Sequence, residues 1–192
     1  EGVFERICRT VRDTLARAGE ARAQAIGVAC PGPLSPSRGV VIFAPMLGWR
    51  NVPIVRRLAG AFDCPVVLEN DANAAAYGEY RRGAGAGTSS LAYLTISTGV
   101  GCGIVVDGKI LEGFHESAGE FGHLNVVPDG RPCVCGRRGC LEMYASGTGI
   151  AEVARERMRT EETALRRLAR VTAREVAQCA REGDPLCRSV YE

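Results

Sequence analysis

Apolar residues recur at helical spacing from the start of the chain. Val3, Ile7, Val11, Leu15 and Ala18 share one face, and Gly19 follows as a stop signal. A helix already under way, with no strand before it, suggests part of something longer. Ala23–Cys30 is a short apolar run holding Ile26 and Val28, closed by Pro31-Gly32-Pro33, and predicts a buried strand ending in a rigid loop. Gly39–Phe43 predicts another strand. Asn51–Phe62 reads as a helix, with Pro53 near its start and Val55, Leu58 and Ala59 on one face. Val66-Val67-Leu68 predicts a strand that runs straight into Glu69-Asn70-Asp71, and Ala72–Tyr80 carries strong helix formers.

Composition shifts after the glycine-rich stretch Gly83–Gly87, which predicts one domain over residues 1–88 and a second over 89–192. Ser90–Ser97 and Gly103–Val106 read as paired strands joined by Thr98-Gly99-Val100-Gly101-Cys102. Asp107-Gly108 is a hairpin turn into Lys109–Leu111. A loop with three close cysteines follows, then a helix from about Thr148 to Arg159 and another across about Glu161–Arg181. Strands alternate with helices in the first half and a β-meander leads the second. The expected class is α/β, with parts of two domains.

Composition narrows the setting. The 192 residues are 46% hydrophobic and 24% charged, which excludes a disordered or fibrous chain. Lys and Arg total 24 against 22 Asp and Glu, a net charge of +2. So slight an excess gives no reason to expect nucleic acid or an anionic membrane as partner. No apolar run approaches the roughly 20 residues needed to span a bilayer. Residues 1–18 contain no signal-peptide core, so the expected location is cytoplasmic.

The unusual figure is nine cysteines against two histidines. An odd count without a signal speaks against a secreted disulfide framework. Cys8, Cys30, Cys64, Cys102, Cys179 and Cys187 are scattered through apolar or mixed segments and read as small buried hydrophobes. Cys133, Cys135 and Cys140 fall in one glycine-punctuated loop, Pro132-Cys133-Val134-Cys135-Gly136-Arg137-Arg138-Gly139-Cys140. Three thiolates need a fourth nitrogen or sulfur ligand for tetrahedral zinc. Of His115 and His123, the latter precedes the loop by ten positions, so His123, Cys133, Cys135 and Cys140 read as a structural Cys3His zinc site. An unmetallated loop, or a disulfide between two of the three, is the alternative.

Three further constellations could do chemistry. Asn70-Asp71 stands where a strand meets a helix, where ligands of open α/β sheets bind. Asp71 there is either a general base taking a proton from a substrate hydroxyl or a cap on the following helix. Thr98-Gly99-Val100-Gly101-Cys102-Gly103 offers backbone N–H groups and a hydroxyl to phosphate oxygens, without the Lys-Ser/Thr and helix of a P-loop. Glu120-Phe121-Gly122-His123 brings a carboxylate beside the proposed zinc ligand, and Glu142 follows Cys140 by two residues. Those glutamates are either site groups around a polyol or solvated surface.

In this order the pieces resemble the ROK family of bacterial sugar kinases and sugar-responsive repressors, and within it the bacterial glucokinases. The matching stretches are Pro31-Gly32-Pro33, Glu69–Glu79, Thr98–Gly103, Glu120–His123, Cys133–Glu142 and Tyr144-Ala145-Ser146-Gly147. The resemblance implies an actin-like ATPase (ribonuclease H-like) fold with sugar in a cleft between two α/β domains. It implies Asp71 as the catalytic base on the 6-hydroxyl of a hexose such as glucose, and Gly32, Asn70, Glu120, His123 and Glu142 as sugar contacts. Thr98, Gly99 and Gly101 would meet the phosphates of ATP and its Mg²⁺, or of polyphosphate. His123 would serve both zinc and sugar. Homodimers or homotetramers are implied too. The rival readings are a sugar-sensing repressor, with a helix-turn-helix before residue 1, and an inactive sugar-binding protein. Met46 stands where the family's glucokinases usually have Asn, and Cys102 where glycine is usual, beside the phosphates. The family's amino-terminal Asp-Gly-Gly-Thr loop and its carboxyl-terminal paired glycines have no counterpart here, so the chain is expected to be incomplete at both ends.

Overall fold

The amphipathic pattern at the start becomes α1, Val3–Ala18, in a computed structural model that describes residues 2–192. Gly19 closes it in the left-handed conformation at φ 72°, as its position after the apolar stripe predicts. The chain forms two compact units. The first comprises the residues up to Tyr93 together with Gly103–Ala118.

In the first unit β1, Ile26–Cys30, ends at the proline loop as expected. The segment after it forms a small antiparallel sheet in the order β2 (Leu34–Ser35), β3 (Val40–Ala44) and β4 (Trp49–Val52). Asn51, expected to open a helix, lies instead within β4. Pro53 explains the difference: a residue before proline is pushed to extended backbone, so Val52 cannot be helical and α2 runs Ile54–Phe62. Next comes β5, Val66–Asn70, parallel to β1 with Cys30 opposite Asn70, and it passes directly into α3, Asp71–Arg82. Cys8, Cys30, Leu34, Val41, Ile54, Leu58 and Leu68 form the core of this unit, with Phe4, Ile7 and Trp49 against it.

After the glycine stretch, β6 (Ser90–Ile96), β7 (Val100–Val106) and β8 (Lys109–Ile110) form a three-stranded sheet in that order. Asp107 and Gly108, at φ 48° and 78°, make the left-handed two-residue turn between β7 and β8. The joining segment between β6 and β7 is shorter than expected. Strand geometry already begins at Val100, so Cys102 is a buried residue of β7 and not part of an exposed turn. The compact units divide at Tyr93/Leu94, Cys102/Gly103 and Ala118/Gly119.

The second unit comprises Leu94–Cys102 and Gly119–Glu192. It holds a 3-10 turn at Phe121–His123, the cysteine loop, α4 (Glu142–Ala145), α5 (Gly147–Arg157), a 3-10 turn at Ala164–Arg167, α6 (Ala173–Arg181) and α7 (Pro185–Ser189). The long helix expected over Glu161–Arg181 is therefore broken. Thr163 caps the 3-10 turn, and Thr172 with Glu175 forms a capping box that starts α6 afresh. Ala154, Leu165, Val176, Cys179, Leu186 and Cys187 pack into this unit's core. Of the six scattered cysteines, five are buried and Cys64 is half-buried, as small hydrophobes should be. Among the described residues no helix is long and apolar enough to cross a membrane.

Candidate active site and metal centre

The carboxyl ends of β1 and β5 place Gly32, Asn70 and Asp71 in the first unit. The cap of α3, one of the two readings of Asp71, is supplied by its neighbour. Asn70 is the residue that caps α3: its Oδ1 accepts from the N–H groups of Ala72 at 2.9 Å and Asn73 at 3.2 Å. Asp71 is the first residue of the helix and is exposed, with one carboxylate oxygen accepting from Ala72 N–H at 3.0 Å. Glu69 braces the junction by accepting from Asn70 N–H at 2.8 Å and from the buried Asn73 Nδ2 at 3.1 Å. Gly32 lies beside Asn70, whose Nδ2 would be 3.9 Å from a Cβ at Gly32. Cys30, paired with Asn70 in the sheet, is buried, and its thiol is pushed up by desolvation and then by the Asp71 charge.

One residue that positions Asp71 is silent in the sequence. Gly103 of β7 lies under α3, so close that a Cβ there would overlap the Ala72 carbonyl oxygen and stand 2.6 Å from Ala76 Cβ. Gly103 is a packing glycine for the helix that carries Asp71. It belongs to a stretch expected to line phosphates, and only the three-dimensional contact discloses its role.

The second unit gathers the remaining candidates. His123, Cys133, Cys135 and Cys140 come together with one donor atom each, all within 4.8 Å of one another, while His115 lies elsewhere against Phe114. Cys133 Sγ is 3.6 Å from His123 Nδ1, and Cys135 Sγ is 3.7 Å from Cys140 Sγ. Tetrahedral zinc, with bonds of about 2.3 Å to sulfur and 2.0 Å to nitrogen, separates its ligand atoms by roughly 3.5–3.8 Å. The cluster can hold such a metal ion, and all three cysteines are free thiols, not a local disulfide. The Arg137 backbone amide lowers the Cys135 thiol to about 6, whereas burial raises Cys140 to about 11. Gly136 and Gly139 adopt left-handed backbone, φ 86° and 72°, to bend the loop around the donors.

Arg131, which sequence reasoning overlooked, ties this loop to α5. Its guanidinium donates to both carboxylate oxygens of Glu156, at 2.5 and 2.8 Å, and its backbone N–H donates to Tyr144 Oη at 2.8 Å. The pairing holds Glu156 below the usual carboxylate range.

With Nδ1 of His123 turned to the cysteines, its Nε2 faces Glu120, 4.0 Å away. One imidazole can thus serve a metal on one side and a polar ligand on the other. Glu142, at the start of α4, has a more specific partner than solvent: its Oε2 accepts from Val100 N–H at 2.9 Å. Thr98 and Gly99 make the turn between β6 and β7, with Thr98 exposed, while Gly101 lies within β7.

Comparison with known proteins decides the family. The ROK family profile matches residues 1–192. The chain belongs to the ROK family. Its fold is that family's actin-like ATPase fold. It is 46% identical over 132 residues to a glucokinase of Halalkalibacterium halodurans, an alignment covering 68% of this chain and 40% of that protein. A xylose repressor of Caldicellulosiruptor bescii is 35% identical over 167 residues, covering 85% of this chain and 42% of the repressor. The crystal structure of a ROK family glucokinase from Streptomyces griseus, in complex with glucose and AMPPNP, superposes with a TM-score of 0.76 at 36% identity. That match covers 97% of this chain and 63% of the enzyme. The chain thus spans about half the length of the relatives it matches.

Proposed function

We propose that this ROK chain carries the hexose-binding and proton-abstracting portion of an ATP-dependent sugar kinase, with glucose as the preferred acceptor. The observation that carries the reading is the β5–α3 junction. Asn70 accepts from two of the helix's first amides, and the exposed Asp71, with one oxygen on Ala72 N–H, presents its carboxylate at the carboxyl end of a parallel strand. In this reading Asp71 accepts the proton of the sugar's 6-hydroxyl as that oxygen attacks the γ-phosphoryl group. General-base assistance of this kind is worth ~10²–10⁴ in rate. Gly32, Asn70, Glu120, His123 and Glu142 are the sugar contacts, and Thr98, Gly99 and Gly101 face the phosphates of Mg²⁺-bound ATP. Similarity to glucokinases, one of them solved with glucose and AMPPNP, supports acceptor and donor alike.

His123 Nδ1 and the sulfurs of Cys133, Cys135 and Cys140 would hold zinc, which when bound would cross-link the loop. His123 then binds and orients: with Nδ1 committed, Nε2 is the nitrogen left to meet a sugar hydroxyl beside Glu120. The second reading, a sugar-responsive repressor, is supported by the 35% identity to a xylose repressor. A coupled assay of ADP release by the full-length protein, over a panel of hexoses and pentoses, separates the two. ADP release strongest with glucose is the expected result. Sugar binding without ADP release, together with sequence-specific DNA binding, would replace the kinase by the repressor.

A further inference from the structure

The turn between β6 and β7 is fastened at both ends to the segment that follows the cysteine loop. At one end Val100 N–H donates to Glu142 Oε2 at 2.9 Å; at the other, Ser97 C=O accepts from Gly147 N–H at 2.8 Å. Within the turn Ser97 N–H donates to Gly99 C=O at 2.9 Å. The Glu142 side chain packs against two glycines, Gly99 at its carboxylate and Gly122 at its Cβ. A Cβ on Gly99 would lie 2.5 Å from Glu142 Oε2, and one on Gly122 would overlap the Val100 carbonyl and stand 3.4 Å from Glu142 Cβ. Val100 itself is buried. So close a fit is not that of a solvated surface glutamate, nor of a side chain engaged with a sugar alone.

A carboxylate beside a phosphate site is at first sight out of place, since like charges repel. Its presence makes sense when its work is geometric: it accepts the Val100 amide and fixes the backbone that carries Thr98 and Gly99. We propose that Glu142 is a positioning residue for the Ser97–Val100 turn, holding it in the shape that receives the phosphates of the nucleotide. The inference rests on the kinase reading of that turn. It adds to Glu142 a second task that the sugar-contact assignment does not contain.

The charge and the clamp can be separated. Glu142→Gln keeps an acceptor oxygen for Val100 N–H and removes the charge; Glu142→Ala removes both. In the full-length protein, without sugar, titration with AMPPNP should show Glu142→Ala weakened about tenfold, as for loss of one charge-assisted hydrogen bond. Glu142→Gln should remain within about twofold of the wild type. Amide exchange at Val100 should accelerate in the alanine variant only. Thr172→Ala, which removes the cap of α6 away from the turn, serves as a stability control and should leave AMPPNP affinity unchanged. Equal weakening by Ala and Gln, or unaltered Val100 exchange in Glu142→Ala, overturns the clamp. A wild type that binds no nucleotide overturns the kinase reading itself, and the exchange result then still decides whether the clamp exists.

Discussion

Adding one methyl group at Gly103 tests how the fold holds Asp71. The new Cβ would overlap the Ala72 carbonyl oxygen and lie 2.6 Å from Ala76 Cβ. Non-bonded carbons prefer about 3.5–4.0 Å, so helix and strand must separate by roughly 1 Å. The obstructing atoms belong to the backbone and to a Cβ fixed on it, so no rotamer change relieves the contact. Overpacking of this kind costs ~1–3 kcal/mol. Removing a glycine restricts the unfolded chain and returns about 0.4–1 kcal/mol. The clash wins, and Gly103→Ala should be less stable by about 1–2 kcal/mol. Because Ala72 is the residue after Asp71, the same displacement moves Asp71, the proposed base. Misplacement by about 1 Å can lower turnover on the order of 10²-fold. Urea unfolding measures the first effect and the coupled ADP assay the second. A variant as stable and as active as the wild type would refute the argument that this glycine sets the height of α3.

Two further predictions follow from particular contacts. Metal analysis of the purified protein should find one zinc per chain, carried by His123, Cys133, Cys135 and Cys140. Cys133→Ser should lose the metal and several kcal/mol of stability, read by thermal unfolding; a metal-free wild type would remove zinc from the account. In the first unit Glu116 accepts from Ser35 Oγ at 2.6 Å and from Ser37 N–H at 2.9 Å, and these bonds hold its carboxyl below the usual range. A depressed folded value means stability that is present above the unfolded value, about 4.3, and lost as pH falls through the folded one. Glu116→Gln should therefore be less stable than the wild type at neutral pH, with the difference closing under acid. A gap independent of pH would contradict the assignment.

What could be read in advance was whatever lies close along the chain. Three of the four side chains that cluster fall within one loop, so composition and spacing sufficed to group Cys133, Cys135 and Cys140, and scarcity of histidine added His123. The strand–helix junction at Asn70-Asp71 was equally local, although propensity could not say that Asn70 is the cap and Asp71 the exposed first residue of the helix. Long-range contacts were invisible. Glu142 and Val100 are 42 positions apart, and the value of Gly103 depends on a helix packed across it. The misplaced elements have local causes that helical periodicity outvoted: Pro53 forcing an extended Val52, and the Thr172–Glu175 capping box interrupting an apolar repeat.

The central claim is that Asp71 removes the proton from the sugar hydroxyl. Its most direct measurement pairs calorimetric glucose binding with ADP release for Asp71→Asn in the full-length protein. The account predicts glucose affinity within about tenfold of the wild type, since Asn keeps the shape and one hydrogen-bonding oxygen, with turnover reduced ~10²–10⁴-fold. Turnover near that of the wild type, with glucose still bound, would contradict it.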